Sequence, residues 1–458
     1  MNNTKRIRVR FSFYDRAGIS AYLEEQAKLG WMLEKIGRGI WKFKSIEPSS
    51  LHFAVTYFPK ASEYDPEPSE EQALFYEMCE HTGWKLVTTS AQMQIFCNED
   101  EKPVPIETDP CVDVENIQKS INKVYKPLNI LLAILCVIQL KSSITRIVSN
   151  PMTALSNNAE LFLVFCYVLL ILLSLYEVIR YGVWYKKAKM AAEQEGVFLN
   201  PGTKKTFERI IFVLFILALL YLLISSGRKT TLINVISALG FFAIRILGRL
   251  LSKWMKHKKA AAAENVILTF VITFALLLAF DYLLITDRIN LLPEEVEDKL
   301  NVYSGNTFAI ENGELPLTME DFIEGDFSDY TTTLSVNETV FSAQLYAVHH
   351  SEEPDPDIPA ISYTVTKIKM PRLHDWYLEK TLDQTFKVHH RVTFSFHLEY
   401  IPIYSEPWGA EHVYRRYSDG HPLDTYLIDM GDRIITISPD WELTTEQKQT
   451  IVSVLGSI

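Results

Sequence analysis

Apolar residues gather into five stretches between positions 128 and 285, and this crowding constrains the fold more than any other feature of the chain. A helix needs roughly 20 mainly apolar residues to cross about 30 Å of hydrocarbon. The last four stretches reach or approach that length. The first stretch is long enough only if its helix extends past Lys141, whose side-chain ammonium then lies at the membrane interface. We therefore predict a five-helix transmembrane region over residues 127–286, with spans at about 127–147, 161–180, 210–226, 231–248 and 265–285.

Basic residues cluster after the second and the fourth predicted spans, whereas the loops after the first and third carry two each. Such clusters stay in the cytoplasm. Five spans then place the N-terminus in the cytoplasm and the C-terminus outside a multi-pass protein of the plasma membrane. In the alternative, the first stretch does not cross, and both terminal domains share the outer face.

Charge is uneven along the chain, whose net charge is −11. Residues 286–458 hold 30 acidic and 12 basic residues, a balance near −18, and the remainder is near +7. The acidic part would repel nucleic acid and anionic lipid, and its ordinary role is solubility. All five cysteines lie in the first 170 residues without zinc or redox spacing. An outer domain without cysteine suits a bacterial surface better than a eukaryotic secretory route.

Residues 7–98 predict a duplicated strand-helix-strand-strand unit with a spacing of 53 residues, which makes 1–106 an α+β domain. Gly30-Trp31 and Gly83-Trp84 are its structural signature. A glycine just past a helix adopts the left-handed conformation that closes the last turn, and the tryptophan after it can fold back onto the helix. The many aromatic residues favour a small hydrophobic core, and a ligand cleft between the repeats is the alternative.

The repeated helix-Gly-Trp-hairpin, with the opening Phe13-Tyr14-Asp15 and a tyrosine-containing second helix, resembles the domain-of-unknown-function 2812 family over roughly residues 6–100. The resemblance implies a bacterial membrane protein, sometimes encoded beside a transcriptional repressor of the PadR type. It implies no catalytic residues. Duplicated domains of this kind elsewhere bind small molecules or protein partners, which is an analogy of fold alone.

A linker over 107–126 and an acidic linker over 287–330, with a short helix near 294–301, flank the predicted spans. Residues 331–458 predict a C-terminal α+β domain outside the membrane. Its expected strands are 339–349, 360–370, 388–400, 425–428 and 433–438, and its expected helices are 374–386 and one opened by Thr444 with Gln447 three residues on.

Histidines concentrate in this domain: His349, His350, His374, His389, His390, His397, His412 and His421. Imidazole binds zinc and titrates near neutrality, but no pair has helical i, i+4 spacing, and adjacent histidines on a strand point to opposite faces. The acidic run 352–357 lacks the spaced ligands of a calcium loop and predicts an exposed hairpin tip. We predict no metal, no cofactor and no catalytic residues.

The preferred functional hypothesis is a non-enzymatic membrane sensor or regulator that couples an outer domain to a cytoplasmic one. Its expected partners are the lipid bilayer and an unidentified cytoplasmic protein, and nucleic acid is not expected; the oligomeric state is not predicted. The second hypothesis is a transport or export component, for which Asp281 in the last span is the candidate residue. A metal-dependent hydrolase on the outer face is a distant third.

Overall fold

The computed structural model describes residues 4–9, 11–37, 39–107, 109–201, 206–225, 228–285, 307–308, 310, 314–351, 358–383 and 398–458. The chain forms two compact units. The first contains Met1–Leu135, Leu170–Phe212 and Ser237–Ile289, and the second contains Cys136–Leu169, Val213–Ile236 and Asn290–Ile458.

Two strand-helix-strand-strand repeats open the first unit, and the predicted element order of both is confirmed. The first repeat is β1 (Thr4–Arg8), α1 (Arg16–Lys28), β2 (Trp31–Lys35) and β3 (Ile40–Ser45). The second is β4 (His52–Tyr57), α2 (Glu70–His81), β5 (Lys85–Ser90) and β6 (Met93–Asn98). Each forms a three-stranded antiparallel sheet whose last strand lies in the middle, in the orders β1-β3-β2 and β4-β6-β5. The repeats therefore share topology as well as sequence pattern.

The helix ends of the two repeats are built alike. An N-cap side chain accepts a hydrogen bond from a backbone N–H three residues on, at 3.2 Å from Asp15 to Gly18 and at 3.3 Å from Ser69 to Gln72. Past the C-terminal ends, Gly30 and Gly83 have φ of +82° and +85°. Both adopt the predicted left-handed conformation, which glycine reaches at little cost.

A helix lies inside the segment predicted as a linker. Asp109 accepts a hydrogen bond from the Cys111 N–H at 2.8 Å, and proline follows it at the first helical position, so the local signals open α3 (Pro110–Ser120). Val114 and Ile117 of α3 are buried in the core that both repeats share. The segment is therefore part of the N-terminal core.

The middle of the chain is helical. Its elements are α4 (Lys126–Ser149), which follows the π-helical turn Ile121–Tyr125, α5 (Pro151–Ser156), α6 (Asn158–Glu195), α7 (Thr206–Ser225), α8 (Arg228–His257) and α9 (Ala262–Ile285). Within the described residues, two helices are long and apolar enough to cross a membrane, Asn129–Ser149 and Asn158–Glu195, and Ala263–Leu276 is a shorter apolar helix. Because α6 has 38 residues, four of the basic residues expected in a loop after the second span lie on this helix instead, namely Arg180, Lys186, Lys187 and Lys189.

A seven-stranded antiparallel sheet forms the C-terminal domain, in the order β10-β11-β12-β13-β9-β8-β7. The strands are β7 (Tyr330–Glu338), β8 (Ser342–Ser351), β9 (Ile361–Ile368), β10 (Leu398–Ile403), β11 (His412–Ser418), β12 (His421–Asp429) and β13 (Arg433–Pro439). The helices are α10 (His374–Leu382) and α11 (Thr445–Leu455), with 3₁₀ turns at Met319–Asp321 and Pro371–Leu373.

Most strands and helices of this domain lie where the sequence predicts them. The capping box at Thr444 and Gln447 is present, with both of its reciprocal hydrogen bonds. Strands β7 and β11 were not predicted. The expected helix at 294–301, the acidic tip 352–357 and the part of the expected strand before residue 398 lie outside the described residues.

Candidate functional site

Tyr14 anchors the N-terminal domain on the second half of α6. Its side chain is 1% exposed, and its ring centroid lies 4.6 Å from that of Trp184 and 5.5 Å from that of Tyr181. Burial raises the pKa of the Tyr14 hydroxyl to about 12, so the phenol is neutral at physiological pH. The opening Phe13-Tyr14-Asp15 thus caps α1 through its aspartate and packs on α6 through its tyrosine.

Polar contacts fix the orientation of α6 in this junction. The Trp184 indole N–H donates to the Leu199 carbonyl at 3.0 Å, and the Tyr185 hydroxyl donates to the Gln118 side-chain carbonyl at 2.6 Å. The latter bond joins α6 to α3. Aromatic packing with directed hydrogen bonds defines one rotation of a helix, so the junction sets how α6 meets the repeats.

A groove of about 420 Å³ lies between α1 and β4. Its walls carry Arg16, Glu24, His52 and Glu107, with Trp84 at the side. Between them lie further residues of α1, β4 and the segment before α3, which are Ala17, Ser20, Ala21, Phe53, Ala54, Val55, Thr56, Pro103, Pro105 and Ile106. The position corresponds to the predicted alternative of a cleft between the repeats.

Arg16 is neutralised by two carboxylates at one end of this groove. Its Nη1 lies 3.2 Å from Glu107 Oε2, and it also forms an ion pair with Asp113 of α3. The guanidinium carbon lies 4.6 Å from the centroid of the Phe198 ring. Burial raises the pKa of Asp113, against the lowering effect of Arg16.

The Gly-Trp signature residues serve the fold of the repeats. Trp84 is buried against Cys79 and Phe96, and its indole N–H donates to the Val104 carbonyl at 2.8 Å. Trp31 is partly buried, and the Lys5 ammonium lies 4.2 Å from its ring centroid. The two tryptophans hold corresponding positions but have different neighbours.

In the second unit, α5 packs against the C-terminal domain. Met152 and Leu155 join a buried cluster with Tyr377 of α10 and two sheet residues, Leu427 and Ile434. This contact attaches the short segment between α4 and α6 to the seven-stranded sheet.

Hydroxyl groups extend that contact. Ser342 Oγ lies 2.8 Å from Ser156 Oγ and 3.1 Å from Tyr377 Oη, and all three residues are buried. Thr339 donates to the Leu155 carbonyl at 2.5 Å, and Asn158 at the start of α6 donates to the Glu338 carbonyl. We name this set, together with Met152 and Leu155, the α5 contact.

Two of the C-terminal histidines have defined partners. His374 opens α10 with its Nε2 2.8 Å from Asp429 Oδ1 and its Nδ1 3.2 Å from Asp375 Oδ1. Burial disfavours the charged ring, but the hydrogen bonds with Asp375 and Asp429 outweigh it and raise the pKa of His374. His349 is buried, its Nδ1 accepts from the Met319 N–H at 2.9 Å, and burial lowers its pKa.

Across the described ranges, no three His, Cys, Asp or Glu side chains come together to hold a metal ion. His389, His390 and His397 lie outside those ranges. Asp281 lies in α9, and its side chain is not among those described.

Sequence reasoning missed the junction at Trp184 and the α5 contact. For the first, the available signal was the dense run of aromatic residues Tyr181, Trp184 and Tyr185 on a helix predicted to end before them. For the second there was none, because Ser156 and Ser342 are separated by 186 residues.

The described parts define a class of protein with a duplicated N-terminal α+β domain, a helical middle that holds two helices of membrane-spanning length, and a C-terminal antiparallel sheet domain. Residues 17–133 match the model of the family described as a protein of unknown function, DUF2812, so the chain carries a domain of that family. The match includes α3 and the start of α4, beyond the 6–100 expected from the sequence. No curated protein and no solved structure matches the chain.

Proposed function

We propose that this protein is a non-enzymatic membrane sensor or regulator, in which the C-terminal domain detects a condition outside the cell and the N-terminal domain responds in the cytoplasm. The observation that carries the proposal is the pair of buried contacts made by α6 and the segment before it. Residues at the start of α6 belong to the α5 contact, and Tyr181 and Trp184 further along it pack on Tyr14.

A helix held at two places by packed side chains can transmit a rotation or a shift, because packed contacts switch between discrete arrangements rather than deforming smoothly. Both contacts are suited to this. The packing of Tyr14 on Tyr181 and Trp184 changes when α6 rotates. The α5 contact depends on short, directed hydrogen bonds. Allosteric coupling then requires that the state of the first contact changes the stability of the second.

The proposed topology has five spans, with the N-terminus in the cytoplasm and the C-terminus outside. The supporting argument is the positive-inside distribution of lysine and arginine. In intact cells, an impermeant thiol reagent should leave Cys111, which is exposed on α3, unlabelled. After Ser453→Cys, at an exposed position of α11, the same reagent should label the C-terminal domain. Labelling of Cys111 without permeabilisation would reverse the assignment.

Coupling is tested by locking one contact and measuring the N-terminal domain. In the full chain in lipid vesicles, Ser156→Cys and Ser342→Cys place thiols where the hydroxyl oxygens lie 2.8 Å apart, close enough for a disulfide. Cys97, a buried thiol of β6 whose pKa burial raises, reports opening of the N-terminal domain through its labelling rate. The other native cysteines are replaced by serine or alanine.

We expect oxidation of the engineered pair to change the labelling rate of Cys97 by about fivefold or more. A matched disulfide, from Thr425→Cys and Ser438→Cys, joins β12 to β13 at hydroxyls 2.6 Å apart without touching α5. It should leave the rate unchanged. If both disulfides form and neither alters Cys97 labelling, the two domains are independent and the sensor proposal fails.

A further inference from the structure

The last part of α8 exposes large apolar and basic side chains next to one another. Leu247, Leu250 and Trp254 follow at helical spacing and are 51%, 55% and 55% exposed. Arg249 and Lys253, four residues apart on the same helix, are exposed beside them. We name these five residues the α8 surface.

Contacts with α9 fix which way this part of α8 faces. The Asn265 side-chain amide donates to the Ser252 carbonyl at 3.1 Å. Gly248 is buried, and a Cβ built there would lie 2.7 Å from the Thr273 hydroxyl oxygen, so the two helices approach closely. Met255 is buried on the same side of α8 as Gly248. Because a helix turns by about 100° per residue, the α8 surface lies on the sides that do not pack on α9.

The order of residues along α8 and α9 matches that of a membrane interface. Most residues of 266–274 in α9 are large, apolar and exposed. The bond between Asn265 and Ser252 therefore sets the start of this apolar surface beside Ser252. The two leucines of the α8 surface lie on the apolar side of that level, and Lys253 and Trp254 lie at its edge. Tryptophan is enriched at membrane interfaces, and long basic side chains extend their charged ends toward them.

The charge of the α8 surface is not neutralised within the described part of the chain, where no carboxylate forms an ion pair with Arg249 or Lys253. The basic stretch of α6 differs, since Lys189 lies 3.7 Å from Glu193 and Trp184 is buried. Apolar surface beside unpaired positive charge is complementary to a lipid that joins acyl chains to an anionic head group. An acidic, water-soluble partner would match the charge alone.

We propose that the α8 surface binds an anionic phospholipid of the cytoplasmic leaflet. Arg249 and Lys253 bind the phosphate of its head group, and Leu247, Leu250 and Trp254 contact its apolar part. The proposal shares the membrane location of the proposed function and adds a partner that the proposed function does not name.

Phosphatidylglycerol is the probe, and phosphatidylcholine, whose head group has no net charge, is its match. The full chain in detergent is titrated with each lipid, and native mass spectrometry measures how much lipid is bound. We expect phosphatidylglycerol to bind about tenfold more tightly or better, because each basic residue near an anionic head group contributes about fivefold. Added salt should reduce this preference.

Variants at exposed positions locate the site. Arg249→Gln combined with Lys253→Gln should reduce the preference for phosphatidylglycerol about tenfold or more. Lys186→Gln combined with Lys187→Gln removes the same charge from exposed positions of α6 and should leave the preference unchanged. Trp254→Phe keeps an apolar ring and reports the position of the lipid. Phosphatidylglycerol with brominated acyl chains should quench a larger fraction of the tryptophan fluorescence of the wild type than of Trp254→Phe.

Several outcomes would overturn the proposal. They are equal affinity for the two lipids, equal losses in the two double variants, and equal quenching in the wild type and Trp254→Phe. A dimer in the mass spectra that Leu250→Glu dissociates, without any lipid preference, would assign the α8 surface to a second copy of the chain. These measurements need neither communication with the C-terminal domain nor the orientation of the chain in the cell, so they stand or fall separately from the sensor proposal.

Discussion

The two folded regions hold their helical segments by different chemistry. Aromatic rings dominate the N-terminal junction, where Tyr14 packs between Tyr181 and Trp184. The α5 contact has two apolar side chains and a set of small hydroxyls, with Ser342 bonded to both Ser156 and Tyr377. Buried aromatic area contributes several kcal/mol per ring, whereas a neutral hydrogen bond contributes about 1 kcal/mol. The first contact is therefore a firm anchor, and the second is easier to release.

This difference is consistent with the proposed sensor function, which requires that one of the two contacts change state at a modest cost. It also makes the comparison testable, because each contact can be weakened by a single substitution while the other serves as the reference.

The largest effect is expected for Trp184→Ala. The side chain is buried, and its loss leaves a cavity beside Tyr14 and removes the bond to the Leu199 carbonyl. We expect the free energy of opening of the N-terminal domain to fall by about 3–5 kcal/mol. Hydrogen exchange of the β6 amides in the full chain measures it. Val183→Ala, on an exposed position of the same helix, is the control, and equal effects of the two would remove the anchor role.

Leu155→Ala should have a smaller effect, and it should weaken the α5 contact rather than the junction of Tyr14 with α6. Leu155 is buried in the cluster that α5 forms with α10, and a truncated leucine in such a site costs about 2–3 kcal/mol. The loss should appear as faster hydrogen exchange in α10. Val148→Ala, nearby and exposed on α4, should leave that exchange unchanged. If α10 exchanges at the same rate in both variants, the α5 contact does not stabilise the C-terminal domain.

Protonation of His374 should change the stability of the α5 contact. Because the pKa of His374 is raised in the folded state, its charged form contributes stability that is fully present below the unfolded pKa of about 6.5. That contribution is lost as the pH rises through the folded pKa. His374 opens α10, whose Tyr377 belongs to the α5 contact. Alkaline conditions should therefore loosen the contact.

The measurement is the thermal midpoint of the solubilised chain between about pH 5 and 9, the range in which histidine titrates. The difference between the wild type and His374→Gln should shrink as the pH rises, and it should correspond to about 1 kcal/mol at the acid end. His421→Gln, at the exposed start of β12, is the matched control. A constant difference across the range would show that the His374–Asp429 pair does not titrate with folding.

Local signals explain which elements could be predicted. Glycines at 30 and 83 and the capping box at Thr444 act through backbone geometry within a few residues, so the sequence carries them directly. Helix α3 had equally local signals in Asp109 and the proline after it. Its few apolar residues give no clear helical periodicity, so the sequence pattern predicts a linker there.

Other elements depend on contacts that are distant in sequence. Strand β11 has the residues His412–Ser418, with two arginines among them. It is a strand because it pairs with β10 and β12, and not because its apolar and polar residues alternate. The groove likewise requires α1 and β4 from different repeats to come together. The repeat pattern predicted a possible cleft there, but only the folded arrangement brings Glu24 and Thr56 to its walls.

Tyr377→Phe is the smallest change and the sharpest probe of the α5 contact. It removes one hydroxyl and leaves the ring in its buried site, so the packing against Met152 and Leu155 is kept. Ser342 Oγ still has Ser156 Oγ as its partner, and no buried group is left without a bond. The expected loss is therefore only about 0.5–1.5 kcal/mol in the stability of α10, read by hydrogen exchange. Tyr346→Phe, at an exposed position of β8, should lose nothing. A loss above that range for Tyr377→Phe would mean that the hydroxyls act as one cooperative network, and the contact would then release all at once.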